Sequence, residues 1–150
     1  MNNFIFENSS KVYFGEGCVK EYLSSILSAY GDTVMLCYGG GSIKKSGIYD
    51  EVITVLKKEN KAVVEFSGIP SNPTYSKVLE GVKLAKESNA DLILAVGGGS
   101  VMDCCKAISL GAKYDADIWA DFWARLGVID FELLPLGIIV TVSGLSLIHI

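Results

Sequence analysis

The sequence has little from which to build a metal centre or a covalent framework. Its one histidine, His149, cannot supply a catalytic metal site that needs three or more protein ligands. The four cysteines, Cys18, Cys37, Cys104 and Cys105, form no C-x-x-C pair and have no histidine cluster beside them. Zinc sites and disulfide frameworks are therefore set aside, and the cysteines read as small apolar residues in or near the core. A basic block is also lacking. Thirteen Lys and Arg are scattered among 17 Asp and Glu, for a formal charge of −4, so nothing gathers the positive field needed by a nucleic-acid backbone or an anionic membrane surface. No apolar run approaches the roughly 20 residues of a membrane helix, and residues 1–11 lack the basic and apolar regions of a secretion signal. No nucleic acid and no membrane are expected as partners, and the cytoplasm is the expected location.

Half of the residues are hydrophobic, enough for one domain that buries about two thirds of the surface its unfolded chain would expose. Phe4-Ile5-Phe6 and Lys11-Val12-Tyr13-Phe14 flank Glu7-Asn8-Ser9-Ser10 and predict an N-terminal β-hairpin. Val19, Leu23, Ile26 and Leu27 then recur at helical spacing until Gly31. Residues 33–38 form a continuous apolar run too short for a helix, which predicts a fully buried strand. A helix is expected over 46–59, with Ile48, Val52, Val55 and Leu56 on one face, and a strand over 62–66. Two prolines and a glycine make 67–73 a loop. Thr74 opens a helix carrying Val78, Val82, Leu84 and Ala85, residues 91–96 read as a buried strand, a helix follows from 100 to about 110, and 135–142 form a last strand. Residues 115–130 carry a faint helical pattern, with Trp119 and Trp123 read as surface-packed aromatics. Strands alternating with helices predict an α/β fold: an open doubly wound, Rossmann-like parallel sheet covered on both faces.

In such sheets ligands sit beyond the carboxyl ends of the strands. Two strand exits are nearly alike: Tyr38-Gly39-Gly40-Gly41-Ser42 and Val96-Gly97-Gly98-Gly99-Ser100. Glycine lets backbone approach an anion closely, and a following helix presents unpaired N–H groups and its positive end. The pair predicts a phosphate cradle. Neither run is the G-x-G-x-x-G fingerprint, because Lys44 and Met102 occupy the third glycine position. Either run alone is equally compatible with a tight, ligand-free turn, and their recurrence at one sheet edge favours a ligand. Asp103 is expected in the first turn of its helix, where a carboxylate suits the dipole and can complete a cap. Lys44 and Lys45 are either solvated or face a phosphate.

Several strings resemble the iron-containing alcohol dehydrogenase family, in its butanol-dehydrogenase-like branch. They are Val12-Tyr13-Phe14-Gly15-Glu16-Gly17, the run from Tyr38 through Gly47, the loop Ser67-Gly68-Ile69-Pro70-Ser71-Asn72-Pro73, and Ala95 through Ile108 with its glycine-serine-aspartate-lysine pattern. The resemblance covers nearly the whole chain. It implies an N-terminal domain binding NAD or NADP, followed by a helical domain that holds a divalent metal, Fe or Zn, through one Asp and three His. By that likeness Gly97, Gly98, Gly99 and Ser100 would hold the pyrophosphate and Asp103 would lie near the nicotinamide. Asn72 and Pro73 would line the adenine end, and Thr141 and Ser143 would border the nicotinamide ribose. Family members that prefer NAD tend to carry an acid where Gly39 stands. Its absence beside Gly40, Gly41 and Ser42, with two lysines close by, implies NADP(H) in preference to NAD(H).

The likeness breaks after Gly144, where Leu145-Ser146-Leu147-Ile148-His149-Ile150 replaces the family's continuation. This hexapeptide reads like a translated sequencing adapter. The expected organisation is thus a dinucleotide-binding domain over 1–144 of a two-domain dehydrogenase whose metal domain is missing, with 145–150 a non-native tail. No metal ligand and no catalytic residue are assigned within these residues, and the chain alone is expected to be inactive. The full-length enzyme is expected to act on a small alcohol or aldehyde as a homodimer paired through the N-terminal hairpin. The rival readings are a relative of glycerol dehydrogenase or dehydroquinate synthase, and a stand-alone, non-catalytic nucleotide-binding module.

Overall fold

A computed structural model describes residues 10–142 of the chain. In order they form α1 (Cys18–Leu27), β1 (Thr33–Tyr38), α2 (Ser42–Lys45), α3 (Ile48–Lys58), β2 (Ala62–Phe66), α4 (Tyr75–Glu87), β3 (Leu92–Gly97), α5 (Gly99–Ala112), a π-helical turn (Trp119–Ala124) and β4 (Leu136–Val140). The four strands make one sheet in the order β2-β1-β3-β4, every pair parallel. β1 and β3 are central, and their apolar runs bury on both faces, as a strand covered by helices on each side requires.

Alternation along those strands divides the core in two. Val34, Leu36, Tyr38, Leu92, Leu94 and Val96 face Leu23 and Leu27 of α1 and Val52 and Leu56 of α3. Met35, Cys37, Ile93 and Ala95 face Val78 and Ala85 of α4 and Cys104, Cys105 and Ile108 of α5. Each fully buried leucine or isoleucine here contributes about 1.5–3 kcal/mol relative to exposure. Cys37, Cys104 and Cys105 are buried free thiols, as their apolar reading requires, while Cys18 is half-buried. Helices α4 and α5 meet closely because two glycines stand at their contact. A Cβ on Gly81 would fall 2.3 Å from Ile108 Cδ1, and one on Gly111 would fall 2.5 Å from Val82 Cγ2.

Several details differ from the sequence-based expectation. The helix expected over 46–59 is α3, Ile48–Lys58, with Gly47 at φ 80° as its cap residue, and a short separate helix that was not expected, α2, precedes it. Helix α5 begins at Gly99 with Gly98 as its cap residue, and the Gly98 carbonyl accepts from both Val101 and Met102 N–H at 3.1 Å. Asp103 consequently lies beyond the first turn, forms no cap, and pairs with Lys106 at 3.6 Å. The first arm of the N-terminal hairpin, Phe4 to Phe6, lies outside the described residues. Its second arm, residues 11–14, carries no regular secondary structure, with Val12 and Phe14 exposed and the Tyr13 ring tilted against that of Tyr22 at 5.0 Å. Ser143 and the terminal hexapeptide also lie outside the described residues. The helical pattern in 115–130 resolves into the six-residue π-helical turn, whose start is capped by Asp117: its Oδ1 accepts from Trp119 N–H at 2.9 Å and Ala120 N–H at 3.2 Å. Trp119 and Trp123 stack on its surface at 6.2 Å, both largely exposed.

Candidate functional site

From β1 the chain leaves toward the α3 face of the sheet, and from β3 toward the α5 face. The adjacent ends of β1 and β3 are therefore a topological switch point, where an open α/β sheet leaves a crevice. Register places Tyr38 beside Val96, so the two glycine runs emerge side by side. Between them lies a hollow of about 220 Å³ lined by Gly39, Gly40, Ile69, Pro70, Ser71, Gly98, Gly99, Ser100 and Val101.

The loop at 67–73 closes one wall of this hollow and is tied to both runs. Gly68, at φ 74°, donates its N–H to the Gly39 carbonyl at 3.0 Å, and Ile69 N–H reaches the Tyr38 carbonyl at 3.3 Å. On the other side the Ser100 hydroxyl donates to the Ser71 carbonyl. Across β3, Thr141 N–H donates to the Gly97 carbonyl at 3.1 Å, setting the start of the segment after β4 beside the second run.

The glycines divide by what a side chain would meet. At Gly97 a Cβ would fall 2.6 Å from Val101 Cγ2, and at Gly39 one would fall 3.1 Å from the Ile69 carbonyl oxygen, so these two glycines let backbone and side chains pack closely. At Gly40, Gly41 and Gly99 a Cβ would meet nothing within 4 Å. The space at Gly40 and Gly99, both in the lining of the hollow, adjoins the N-terminus of α5, whose first N–H groups, at Gly99 and Ser100, have no carbonyl one turn back in the helix. A group with anionic oxygens fits such a place.

Residues 9–146 match the family described as iron-containing alcohol dehydrogenase. The chain belongs to that family. Among curated relatives it is 48% identical over 144 residues to "Probable NADH-dependent butanol dehydrogenase 1" of Bacillus subtilis (strain 168), covering 96% of this chain and 36% of that protein. It is 37% identical over 147 residues to "NADPH-dependent aldehyde reductase YqhD" of Escherichia coli (strain K12), again covering 96% and 36%. The crystal structure of NADH-dependent butanol dehydrogenase A from Thermotoga maritima superposes with a TM-score of 0.85 at 41% identity, over 95% of this chain and 35% of that one. The chain thus spans little more than a third of the length of these relatives.

Within this family member, the structure brings Gly39, Gly40, Gly98, Gly99 and Ser100 into the lining of one hollow. Gly41 and Ser42 stand at the start of α2, exposed, and Gly97 lies buried at the end of β3 just beneath the lining. Asn72 and Pro73 follow the lining residues in the same loop without joining them, and exposed Asp103 points its carboxylate to Lys106 instead. Sequence reasoning missed Ile69, Pro70, Ser71 and Val101 as wall residues. The signal available was the proline and glycine punctuation of a loop leaving the carboxyl edge of β2, next to β1.

It also missed a cluster at the turn after β1. Tyr38 and Tyr49 both donate their hydroxyls to the Glu65 carboxylate, to Oε2 at 2.5 Å and Oε1 at 2.6 Å. The hydrogen bonds from Tyr38 and then Tyr49, helped by the Lys44 charge, hold the Glu65 carboxyl below its ordinary value. The same hydrogen bond, with burial, pushes the Tyr49 phenol up to about 12. Among the described residues no three His, Cys, Asp or Glu come together to hold an ion. Nor, among those residues, is any helix long and apolar enough to cross a membrane.

Proposed function

We propose that this domain is the cofactor-binding half of an oxidoreductase that interconverts primary alcohols and aldehydes, and that it binds NADP(H) in preference to NAD(H). The observation that carries the reading is the hollow at the β1/β3 switch point, where Gly40 and Gly99 leave open space beside the α5 N-terminus. The cofactor, when bound, supplies the hydride chemistry. The chain's own part is to hold it. The N–H groups of Gly99 and Ser100 receive the pyrophosphate, and the Ser100 hydroxyl, now tied to the loop carbonyl of Ser71, becomes available when the loop adjusts. Thr141 and Ser143 border the ribose next to the nicotinamide, and Asn72 with Pro73 lies toward the adenine.

The first run sets the choice of cofactor. An acid at position 39 would favour a free 2′-hydroxyl and repel a 2′-phosphate. Gly39 has no such group, and the Ile69 carbonyl 3.1 Å from its Cβ direction leaves a side chain little room. The relatives are divided on this point, the Bacillus subtilis protein being named NADH-dependent and the Escherichia coli one NADPH-dependent. A fluorescence titration decides it: NADPH should bind tighter than NADH, and tighter NADH binding refutes the preference. The metal ligands belong to a second domain, so the chain alone should show no alcohol-dependent NADP reduction, and measurable turnover would refute that division of labour. The reading includes a cytoplasmic enzyme that dimerises through residues 4–14.

A further inference from the structure

The two edges of the sheet are not alike. β2 carries the exposed Glu65, whereas β4 and the two residues after it, Leu136 to Val142, hold no charged residue and no proline. Edge strands are ordinarily guarded by such residues against pairing with another chain. β4 pairs with β3 on one side and, among the described residues, with no strand on the other. Its outward backbone groups follow from its inward ones. The Pro135 carbonyl accepts from Ile93 N–H at 2.8 Å and Thr141 N–H donates to the Gly97 carbonyl at 3.1 Å, so the odd-numbered residues face β3. Alternation then turns the N–H and C=O groups of Leu136, Ile138 and Val140 away from it.

One face of this strand is open as well. Register with Ile93 and Ala95 puts Leu136, Ile138 and Val140 on the side of the sheet that α4 and α5 cover. That cover thins beyond β3, for Ile138 is 36% exposed, Val140 53% and Val142 51%. A parallel sheet ordinarily has both faces covered, so apolar surface here adjoins an unpaired hydrogen-bonding edge. Charge selects the occupant. The β2 edge of another copy would bring the Glu65 carboxylate into the pairing, whereas its β4 edge brings a strand as uncharged as this one. Antiparallel pairing about a two-fold axis through Ile139 sets Ile138 opposite the second copy's Val140, and Leu136 opposite its Val142. The outward groups then meet as hydrogen-bonded pairs, and the exposed side chains of both copies line up on one face.

We infer that the outer edge of β4 is an interaction surface that takes the same edge of a second copy of this chain, antiparallel and centred on Ile139. The pairing is independent of the cofactor reading. It is tested by light scattering on the 150-residue chain across a concentration series, alongside Val140→Lys, Ile138→Glu and their equimolar mixture. The mass should rise with concentration to at least twice that of one chain. Either substitution should raise the midpoint of that rise by about tenfold or more, because the two-fold axis counts each lost cross-strand pair twice. Both positions are exposed, so each variant should keep the near-UV circular dichroism of the wild type. Mixing the variants should restore the association, since the lysine of one chain then faces the glutamate of the other. A wild-type mass that never rises overturns the inference. So does a midpoint that the substitutions leave unmoved, the result expected of association through residues 4–14 alone. Loss in both variants without recovery on mixing also overturns it, because the edge then meets some other surface of the second copy.

Discussion

Two glycines separated by one residue in the second run should answer the same substitution in opposite ways. At Gly97 an alanine Cβ would fall 2.6 Å from Val101 Cγ2 and 2.9 Å from Val101 Cβ, about an ångström inside ordinary contact. Val101 is buried at 6% exposure, and as a β-branched residue in a helix it holds essentially one rotamer, so it cannot swing aside. The first turn of α5 must move instead, and overpacking of this kind costs about 1–3 kcal/mol. For a domain of this size that is a fall of roughly 3–10 °C in Tm. At Gly99 a Cβ would meet nothing within 4 Å, and alanine in a helix is favoured over glycine by about 0.5–1 kcal/mol. Gly99→Ala should therefore leave stability unchanged or raised, while its methyl group stands in the hollow and weakens cofactor binding by about tenfold or more, the scale of a hydrogen bond lost to an ionised group. Urea unfolding and a nucleotide titration on both variants give the four numbers. Trimming the obstruction supplies the control. Val101→Ala alone loses about 1.6 kcal/mol for two buried carbons, yet Gly97→Ala/Val101→Ala should be at least about 1 kcal/mol more stable than the sum of the single losses. Strict additivity in that cycle, or equal loss of stability at Gly97 and Gly99, would refute the division of the glycines into packing and ligand-facing residues.

Gly81→Ala should destabilise by about 1–3 kcal/mol in urea unfolding, because its Cβ would strike Ile108 Cδ1 at 2.3 Å in the α4–α5 contact; Ile108→Val in the same chain should recover part of the loss. Ser109 is buried and donates to the Leu134 carbonyl at 2.5 Å, so Ser109→Ala leaves that carbonyl unpaired and should cost about 1–3 kcal/mol; a loss below about 0.5 kcal/mol would show that water replaces the hydroxyl. The Tyr49 phenol, raised from 10.0 to about 12 by Glu65 and burial, favours the folded state in its protonated form. Its contribution is present in full below pH 10 and is lost as pH rises to about 12, so Tyr49→Phe should flatten the fall of the urea midpoint across that window. Glu65 titrates in the opposite sense: its carboxyl is lowered, chiefly by the Tyr38 hydrogen bond, so its contribution is present above the ordinary carboxylate value of 4.5 and fades as pH falls below it. Glu65→Gln should therefore make the acid limb less steep, and an unaltered limb would mean that the phenol hydrogen bonds do not persist in solution.

What was legible in the sequence follows from the range over which each signal acts. The runs at 33–38 and 91–96 could be read as buried strands because the strands they form meet helices on both faces, which leaves few polar positions to interrupt them. The two glycine runs announced the crevice for a similarly local reason: each lies within a few residues of the strand it ends. The misplacement of Asp103 is also local in origin. With serine taken as the helix start, the carboxylate fell in the first turn, but a glycine whose carbonyl can accept two N–H groups let α5 begin one residue earlier and carried Asp103 past the cap. Gly47 was legible as a glycine yet not as the left-handed cap residue, φ 80°, that separates α2 from α3. Lys44 marks the limit of such reading. Its environment is made by Tyr49 five residues on and by Glu65 from the neighbouring strand, and no periodicity within the segment could show that an exposed lysine following three glycines lies against two rings. On the proposed reading the choice of cofactor lies in the turn after β1, which is shaped by tertiary contacts, while the hollow itself arises from the local glycine runs. A family whose relatives are named for both NADH and NADPH is consistent with that separation: the hollow can be retained while the turn beside it is changed.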